Sequence, residues 1–132
     1  MQATEIYYLS KTTTKPFDDT LQTVIEKLKA QGFGVLTDID VKETLHKKLN
    51  VEFRPYRILG ACNPDLAYKG LQVEANLGVL LPCNVVVQEK ENGQVEVSTV
   101  NPIISMQAVH NAQLEPIAKE VQARLQTVLN GI

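Results

Sequence analysis

The segment around Asn92-Gly93 constrains the fold more than any other part of the chain, because it predicts a β-hairpin. A two-residue turn would pair Lys90 with Val95 and would mix polar and apolar side chains on each face. A three-residue loop over residues 91–93, with Gly93 in the left-handed region, instead gives one apolar face made of Val85, Val87, Val95 and Val97. Strands joined by so short a loop pair antiparallel.

Two longer segments carry apolar side chains at helical spacing. In residues 16–31 the stripe is Phe17, Leu21, Val24 and Leu28, and Gly32 suits the helix end. In the last segment the stripe is Leu114, Ile117, Val121, Leu125 and Val128, with Asn111 as a cap and Asn130-Gly131 at the end. Each helix is apolar on one side only, which favours packing against a sheet.

Shorter elements lie between these segments. We predict strands over residues 4–9, 33–39 and 56–61, and we interpret Thr12-Thr13-Thr14 as a polar loop. Asp40 and Glu43 form a capping box for a short helix that is expected to bury Val41, Leu45 and Leu49. Another helix is capped by Asn63, begins at Pro64 and ends near Gly78. The predicted fold class is α+β: a curved antiparallel sheet with two main helices packed on one face.

Length and charge limit the function classes. A chain of 132 residues is long enough for one domain with its own core, so residues 1–132 are predicted to be a single globular domain. The chain has a net charge of −2 and lacks the clustered Lys and Arg residues that nucleic-acid-binding domains use, so no nucleic-acid partner is expected. No apolar run has spanning length and no signal peptide is visible, which favours a cytoplasmic protein without a membrane partner.

The two cysteines lie in mirrored tripeptides, Cys62-Asn63-Pro64 and Pro82-Cys83-Asn84. Each thiol stands beside an Asn and near a Pro, which indicates two shaped turns. Cys62, Asn63, Cys83 and Asn84 are therefore the candidate ligand-binding residues. Strand alternation after the hairpin places Cys83 inward with Val85 and Val87 and places Asn84 on the opposite face.

Several interpretations of these residues stay open. Both cysteines suit small buried hydrophobic positions, and in a cytoplasmic protein both are expected to be reduced. They also suit a thiol pair for redox chemistry or half of a soft-metal site. The metal alternative is weak because the spacing matches no metal motif, so no metal is predicted. Asn63 is explained as a helix cap, whereas Asn84 has no such role and is a candidate ligand anchor.

Several phrases of the chain resemble the domain-of-unknown-function family DUF302. They are Gly60-Ala61-Cys62-Asn63-Pro64, Ala67-Tyr68, Leu80-Leu81-Pro82-Cys83-Asn84-Val85, Asn101-Pro102 and the stretch from Gly32 to Val41. The resemblance implies a fold related to the TATA-binding-protein architecture, in the order strand, helix, four antiparallel strands, helix, and it implies a homodimer. It implies no activity and no DNA binding, since fold is not function.

Three functions follow as hypotheses. The preferred one is a small-ligand binding module with a cavity between the sheet and the C-terminal helix. In it, Cys62 and Asn84 should border one pocket lined by Tyr56 or Ile58 and by the helix near residues 114–121. The alternatives are a thiol redox enzyme that uses Cys62 and Cys83, and a structural homodimer without a small ligand. The sequence identifies no cofactor and leaves enzymatic activity undecided.

Overall fold

The computed structural model of the chain describes residues 6–132. Within them, five strands form one antiparallel sheet in the order β1-β5-β4-β3-β2. The strands β1 to β5 are Tyr8–Thr13, Gly34–Asp40, Tyr56–Cys62, Cys83–Glu89 and Val95–Val100. The helices α1 to α5 are Phe17–Ala30, Val41–Leu49, Pro64–Val73, Pro102–Gln107 and Glu115–Asn130. Two 3₁₀ segments, Ala75–Leu80 and Ala112–Leu114, precede β4 and α5.

The predicted fold class is confirmed. The two longest helices, α1 and α5, bury their apolar stripes against one face of the sheet, and the main core lies between them and the strands. Its fully buried members include Val24, Leu28, Leu59, Val85, Val87, Val95, Val97 and Leu125. The opposite face of the sheet has no helix of residues 6–132 against it, and its side chains are partly or fully exposed except for Gly60 and Gln88.

The hairpin has the predicted loop. The Lys90 amide donates to the Gln94 carbonyl at 2.8 Å, and Gly93 has a φ of 82°, so the loop is residues 91–93. Val87 lies opposite Val97 in the ladder. Cys83 is therefore buried on the core side and Asn84 is exposed on the open face, as the alternation predicted.

Two local predictions were wrong. The first strand spans Tyr8–Thr13, so Thr12 and Thr13 belong to it and not to a loop; residues 4–5 of the predicted strand lie outside the described residues. The reason is that an edge strand beside β5 tolerates polar side chains. The helix α2 begins at the predicted Asp40–Glu43 cap, with the Glu43 amide 3.0 Å from Asp40 Oδ1. It buries none of its residues, and Leu49 is 65% exposed, because α2 lies beside β2 and β3 at the sheet edge.

The edge strand β2 is irregular. Its register against β3 shifts between Val35 and Thr37, which makes Leu36 the extra residue of a β-bulge. Beyond the bulge, Arg57 of β3 donates to both carboxylate oxygens of Asp38, at 2.8 and 2.6 Å. This bidentate pair holds the outer half of β2 in register.

The helix α4 was not predicted. It begins at Asn101-Pro102, directly after β5, and its Asn cap and first-turn Pro repeat the arrangement of Asn63-Pro64 before α3. None of the helices in residues 6–132 is long and apolar enough to cross a membrane.

Candidate functional site

The two cysteine turns meet at the end of the β3–β4 ladder. Ala61 of β3 lies directly opposite Cys83 of β4, and Cys62 is the next residue of β3 after Ala61. Both cysteines are free thiols, Cys83 buried and Cys62 half-buried. The fold therefore brings the two thiol positions together, because antiparallel pairing places the end of β3 beside the start of β4.

Both cysteines line one narrow crevice of about 30 Å³. Its other walls come from α3, α4, α5, the 3₁₀ segment Ala75–Leu80 and the residues just before β2 and α3. They include Phe33, Asn63, Leu66, Leu77, Met106, Ile117 and Val121. A space of that size holds about one water molecule and no organic ligand. Burial raises the pKa of the Cys83 thiol to about 11, and the nearby Cys62 adds to the rise.

Asn63 serves the backbone. Its Oδ1 accepts the Leu66 amide at 3.2 Å, which caps α3, and its Nδ2 donates to the Gln31 carbonyl at 3.4 Å. Its side-chain groups are therefore engaged inside the fold, although Asn63 borders the crevice. This agrees with its interpretation as a helix cap.

Asn84 lies on the other side of the sheet. It pairs with Gly60 and borders an open hollow that also contains Tyr56, whereas Cys62 borders the crevice on the helix side. The expectation that Cys62 and Asn84 share one pocket was wrong, because Cys62 lies at the last position of β3, where the chain turns into α3 and the crevice, whereas Asn84 lies within β4 on the open face. The part of that expectation concerning the C-terminal helix is met, since Ile117 and Val121 line the crevice with Cys62.

Gly60 explains how the second cysteine turn is positioned. A Cβ atom at Gly60 would lie 2.8 Å from Pro82 Cγ and would overlap the Thr37 hydroxyl. The absence of a side chain therefore lets Pro82 approach the β3 backbone, and Cys83 follows directly into the ladder opposite Ala61.

A larger pocket of about 490 Å³ lies next to the crevice, between α4 and the start of α5. Its floor is apolar and consists of Ile103, Met106, Leu114 and Ala118; it is surrounded by Ala112 and by the polar residues Gln107, His110, Asn111, Glu115 and Lys119. This volume is within the range of about 300–1,000 Å³ found for small-molecule sites. Met106 lines both cavities and so forms a wall between them.

The polar groups around this pocket differ in how far they are engaged. Asn111 donates to the Val73 carbonyl at 2.9 Å, and Lys119 pairs with Glu115 at 3.1 Å. Gln107 and His110 are exposed at the rim, and His110 has a φ of 56°. Sequence reasoning missed this pocket because it missed α4, although the repeated Asn-Pro pair at residues 101–102 was a usable signal.

Metal-ligating side chains do not cluster among the described residues. Across residues 6–132, no three side chains of His, Cys, Asp or Glu come together as a set that could hold one. Cys62 and Cys83 alone supply two ligands, fewer than the four of a structural zinc site.

Comparison with known proteins relates the chain to a family without an assigned activity. Residues 9–132 match the family described as domain of unknown function DUF302. A crystal structure of an uncharacterized conserved DUF302 protein from Bacillus stearothermophilus superposes with a TM-score of 0.89 and 29% sequence identity, covering 96% of this chain and 98% of that one. No curated protein matches the chain significantly. Since the match extends over nearly the whole sequence and the architecture agrees, the chain belongs to the DUF302 family.

Proposed function

We propose that the protein is a small-ligand binding module whose ligand occupies the pocket between α4 and α5. The observation that carries this proposal is the pocket itself: about 490 Å³ of open space with an apolar floor and a polar rim. An apolar body would cover Ile103 and Leu114, while a polar group would reach Gln107 or His110 at the rim.

The cysteine turns form the inner end of this proposed site. Met106 separates the pocket from the crevice that holds Cys62, Cys83 and Asn63. Methionine is unbranched and adapts its shape readily, so a rotation of its side chain would join the two spaces. A ligand would then reach the buried Cys83 thiol from the pocket side.

The first experiment uses the fluorescent probe 1-anilinonaphthalene-8-sulfonate, which binds apolar cavities. We expect saturable binding to the wild-type protein, and a loss of about tenfold or more in Ala112→Phe, which places a large ring at the pocket mouth. The matched control is Ala108→Phe, because Ala108 is equally exposed but does not line the pocket. Equal probe binding in both variants would contradict the proposal, and native mass spectrometry of freshly purified protein would detect a retained ligand.

The second experiment addresses the wall. Met106→Ala is expected to join pocket and crevice and to increase the alkylation rate of Cys83 by iodoacetamide, measured by peptide mass spectrometry. The probe should protect Cys83 in this variant. If Cys83 reacts no faster than in the wild type, or reacts faster without protection by the probe, the crevice is not part of the ligand site.

The thiol redox alternative has less support. Disulfide exchange requires a thiolate, and burial raises the Cys83 pKa to about 11, which keeps this thiol protonated at neutral pH. A homodimer without a ligand stays a prediction. Sedimentation velocity tests it, since a monomer has a mass of 14.6 kDa and a dimer twice that.

A further inference from the structure

The open face of the sheet carries a second, chemically different hollow, with a volume of about 420 Å³. Antiparallel register places Tyr56, Gln88, Glu96 and Thr12 in one row across β3, β4, β5 and β1. Along β5, Glu96, Ser98 and Val100 follow one another on the same face, with Asn84 and Val86 beside them on β4. The hollow thus has an acidic end at Glu96 and a more apolar end at Val100.

Three neighbouring side chains contact Glu96. Its Oε1 accepts Gln88 Nε2 at 3.4 Å and Ser98 Oγ at 3.3 Å, and Lys90 Nζ lies 3.7 Å from the same oxygen. Each of its hydrogen bonds with residues 6–132 uses Oε1, so no donor among them is hydrogen-bonded to Oε2. The Glu96 side chain is 24% exposed, which leaves its carboxylate accessible to a ligand in the hollow.

Aromatic side chains stand at both ends of the hollow. Tyr56 is at the acidic end, where Arg54 stacks over Phe53 at 4.4 Å and donates to Gln88 Oε1 at 3.0 Å. Tyr7 and Tyr8 are at the other end, packed edge to face with ring centroids 5.0 Å apart. Tyr7 is 73% exposed, so its ring can cover a bound molecule. Two consecutive side-chain hydrogen bonds, from Arg54 to Gln88 and from Gln88 to Glu96, support Glu96 from the β3 side.

We propose that this hollow binds a small molecule with a primary amine and an extended apolar body. The ammonium group donates to Glu96 Oε2, and the apolar body lies over Val86 and Val100 toward Tyr8. Charge complementarity selects the amine, because a neutral head would form no charge-assisted hydrogen bond with Oε2 and an anionic head would be repelled by the carboxylate. The site differs from the α4–α5 pocket in face, residues and ligand charge, so it does not depend on the function proposed there.

The test uses 4-phenylbutylamine as the probe and 4-phenylbutanol as its neutral counterpart. Binding is measured by amide chemical-shift titration, which also locates the probe on the sheet. We expect the amine to bind about tenfold or more tightly than the alcohol, since one charge-assisted hydrogen bond separates them. Shifts should be concentrated at residues 84–88 and 96–100. Equal affinities, or shifts confined to α4 and α5, would overturn the proposal.

Two variants with opposite expected effects keep the test decisive. Glu96→Gln retains the shape but removes the charge and should abolish the preference for the amine, whereas the exposed loop change Glu91→Gln should leave it intact. Lys90→Met removes the cation that competes for Glu96 and should tighten amine binding. If Lys90→Met weakens binding, or if Glu91→Gln acts like Glu96→Gln, the carboxylate is not the recognition group. Ala112→Phe should not affect the amine.

Discussion

The corner that follows β3 and the corner that follows β5 are built from the same two residues, an Asn that caps a helix and a Pro in its first turn. Asn63 accepts the Leu66 amide at 3.2 Å and donates to the Gln31 carbonyl at 3.4 Å. Asn101 accepts the Ile103 amide at 3.2 Å and donates to the Ile6 carbonyl at 3.1 Å. In each corner the Asn holds the segment that leads into the neighbouring edge strand, β2 or β1.

The helix α5 supports both corners, but in different ways. Gln122 donates to Asn101 Oδ1 at 3.1 Å and so contacts the capping residue itself. Arg124 instead donates to the Gln31 carbonyl at 3.2 Å, the same oxygen that Asn63 holds. The β5 corner is a closed network around a fully buried side chain, whereas the β3 corner is looser and borders the thiol crevice.

The comparison of the two corners shows which residues of the Cys62-Asn63-Pro64 motif only shape the chain. The β5 corner has no cysteine, yet it uses Asn and Pro in the same positions, so these neighbours of Cys62 are explained by chain geometry alone. What distinguishes the β3 corner is the pair of thiols and the cavity beside them. The Asn and Pro neighbours therefore give no argument for thiol chemistry, and Asn63 is a structural residue.

The largest expected effect is in Asn101→Ala. The Ile103 amide, the Gln122 side chain and the Ile6 carbonyl all lose a buried partner, which should lower the free energy of unfolding by about 3 kcal/mol. Guanidinium denaturation measures the loss, with the exposed Asn76→Ala as the control. A loss no larger than that of Asn63→Ala would break the distinction between the two corners.

Cys83→Ser comes next. The change buries a hydroxyl in an apolar crevice and should cost about 2 kcal/mol, while Cys62→Ser should cost less because Cys62 is half-buried. Thermal and denaturant unfolding of both variants provide the comparison. Equal losses would mean that the two thiols pack alike and that the crevice does not distinguish them.

Asn63→Ala should lower the free energy of unfolding by about 1 kcal/mol, the usual cost of losing a helix cap. The Gln31 carbonyl keeps its bond from Arg124, so the loss stays below that of Asn101→Ala. Combining Asn63→Ala with Arg124→Ala should then cost more than the sum of the two, as expected for a shared partner. If the two losses in unfolding free energy simply add, the shared Gln31 carbonyl does not couple Asn63 and Arg124.

The smallest expected effect is a pH dependence that belongs to the β3 corner alone. The Cys83 pKa is about 11 in the folded protein and about 9.0 in the unfolded chain, so the unfolded chain loses its proton first. The stability that Cys83 contributes is complete below pH 9 and is lost as the pH rises toward 11. Between pH 8 and pH 9.5 the wild type should lose on the order of 0.8 kcal/mol more than Cys83→Ala, measured by denaturation. Parallel curves would show that Cys83 is not perturbed.

Much of the fold follows from local patterns. The loop at residues 91–93, the caps at Asp40 and Asn63, and the stripes of α1 and α5 are set by side-chain periodicity and turn chemistry, which a single sequence displays. Apart from the missed helix α4, the failures lie at the sheet edges. There, the formation of a polar strand such as Tyr8–Thr13 and the burial of Leu49 depend on which element packs beside them. The periodicity of the sequence carries no information about that neighbour.

The candidate site was predicted only in part. The meeting of Cys62 and Cys83 follows from antiparallel pairing, but the pocket between α4 and α5 depends on how two helices meet after separate loops. The open-face hollow likewise depends on register across β3, β4 and β5. Residues such as Glu96 and Met106 belong to no sequence motif, so only their neighbours in the folded structure identify them as parts of a site.

The bulge at Leu36 has a consequence for aggregation. A regular edge strand offers an unbroken row of main-chain donors and acceptors to which another chain can add. At β2 that row is broken at Leu36, and the Asp38–Arg57 pair places charge beside it, so strand addition there meets both a kink and a charge. The other edge, β1, has six residues in uninterrupted register with β5. Of the two edge strands, β1 (Tyr8–Thr13) is therefore the one at which a strand of a second molecule would more readily add to the sheet.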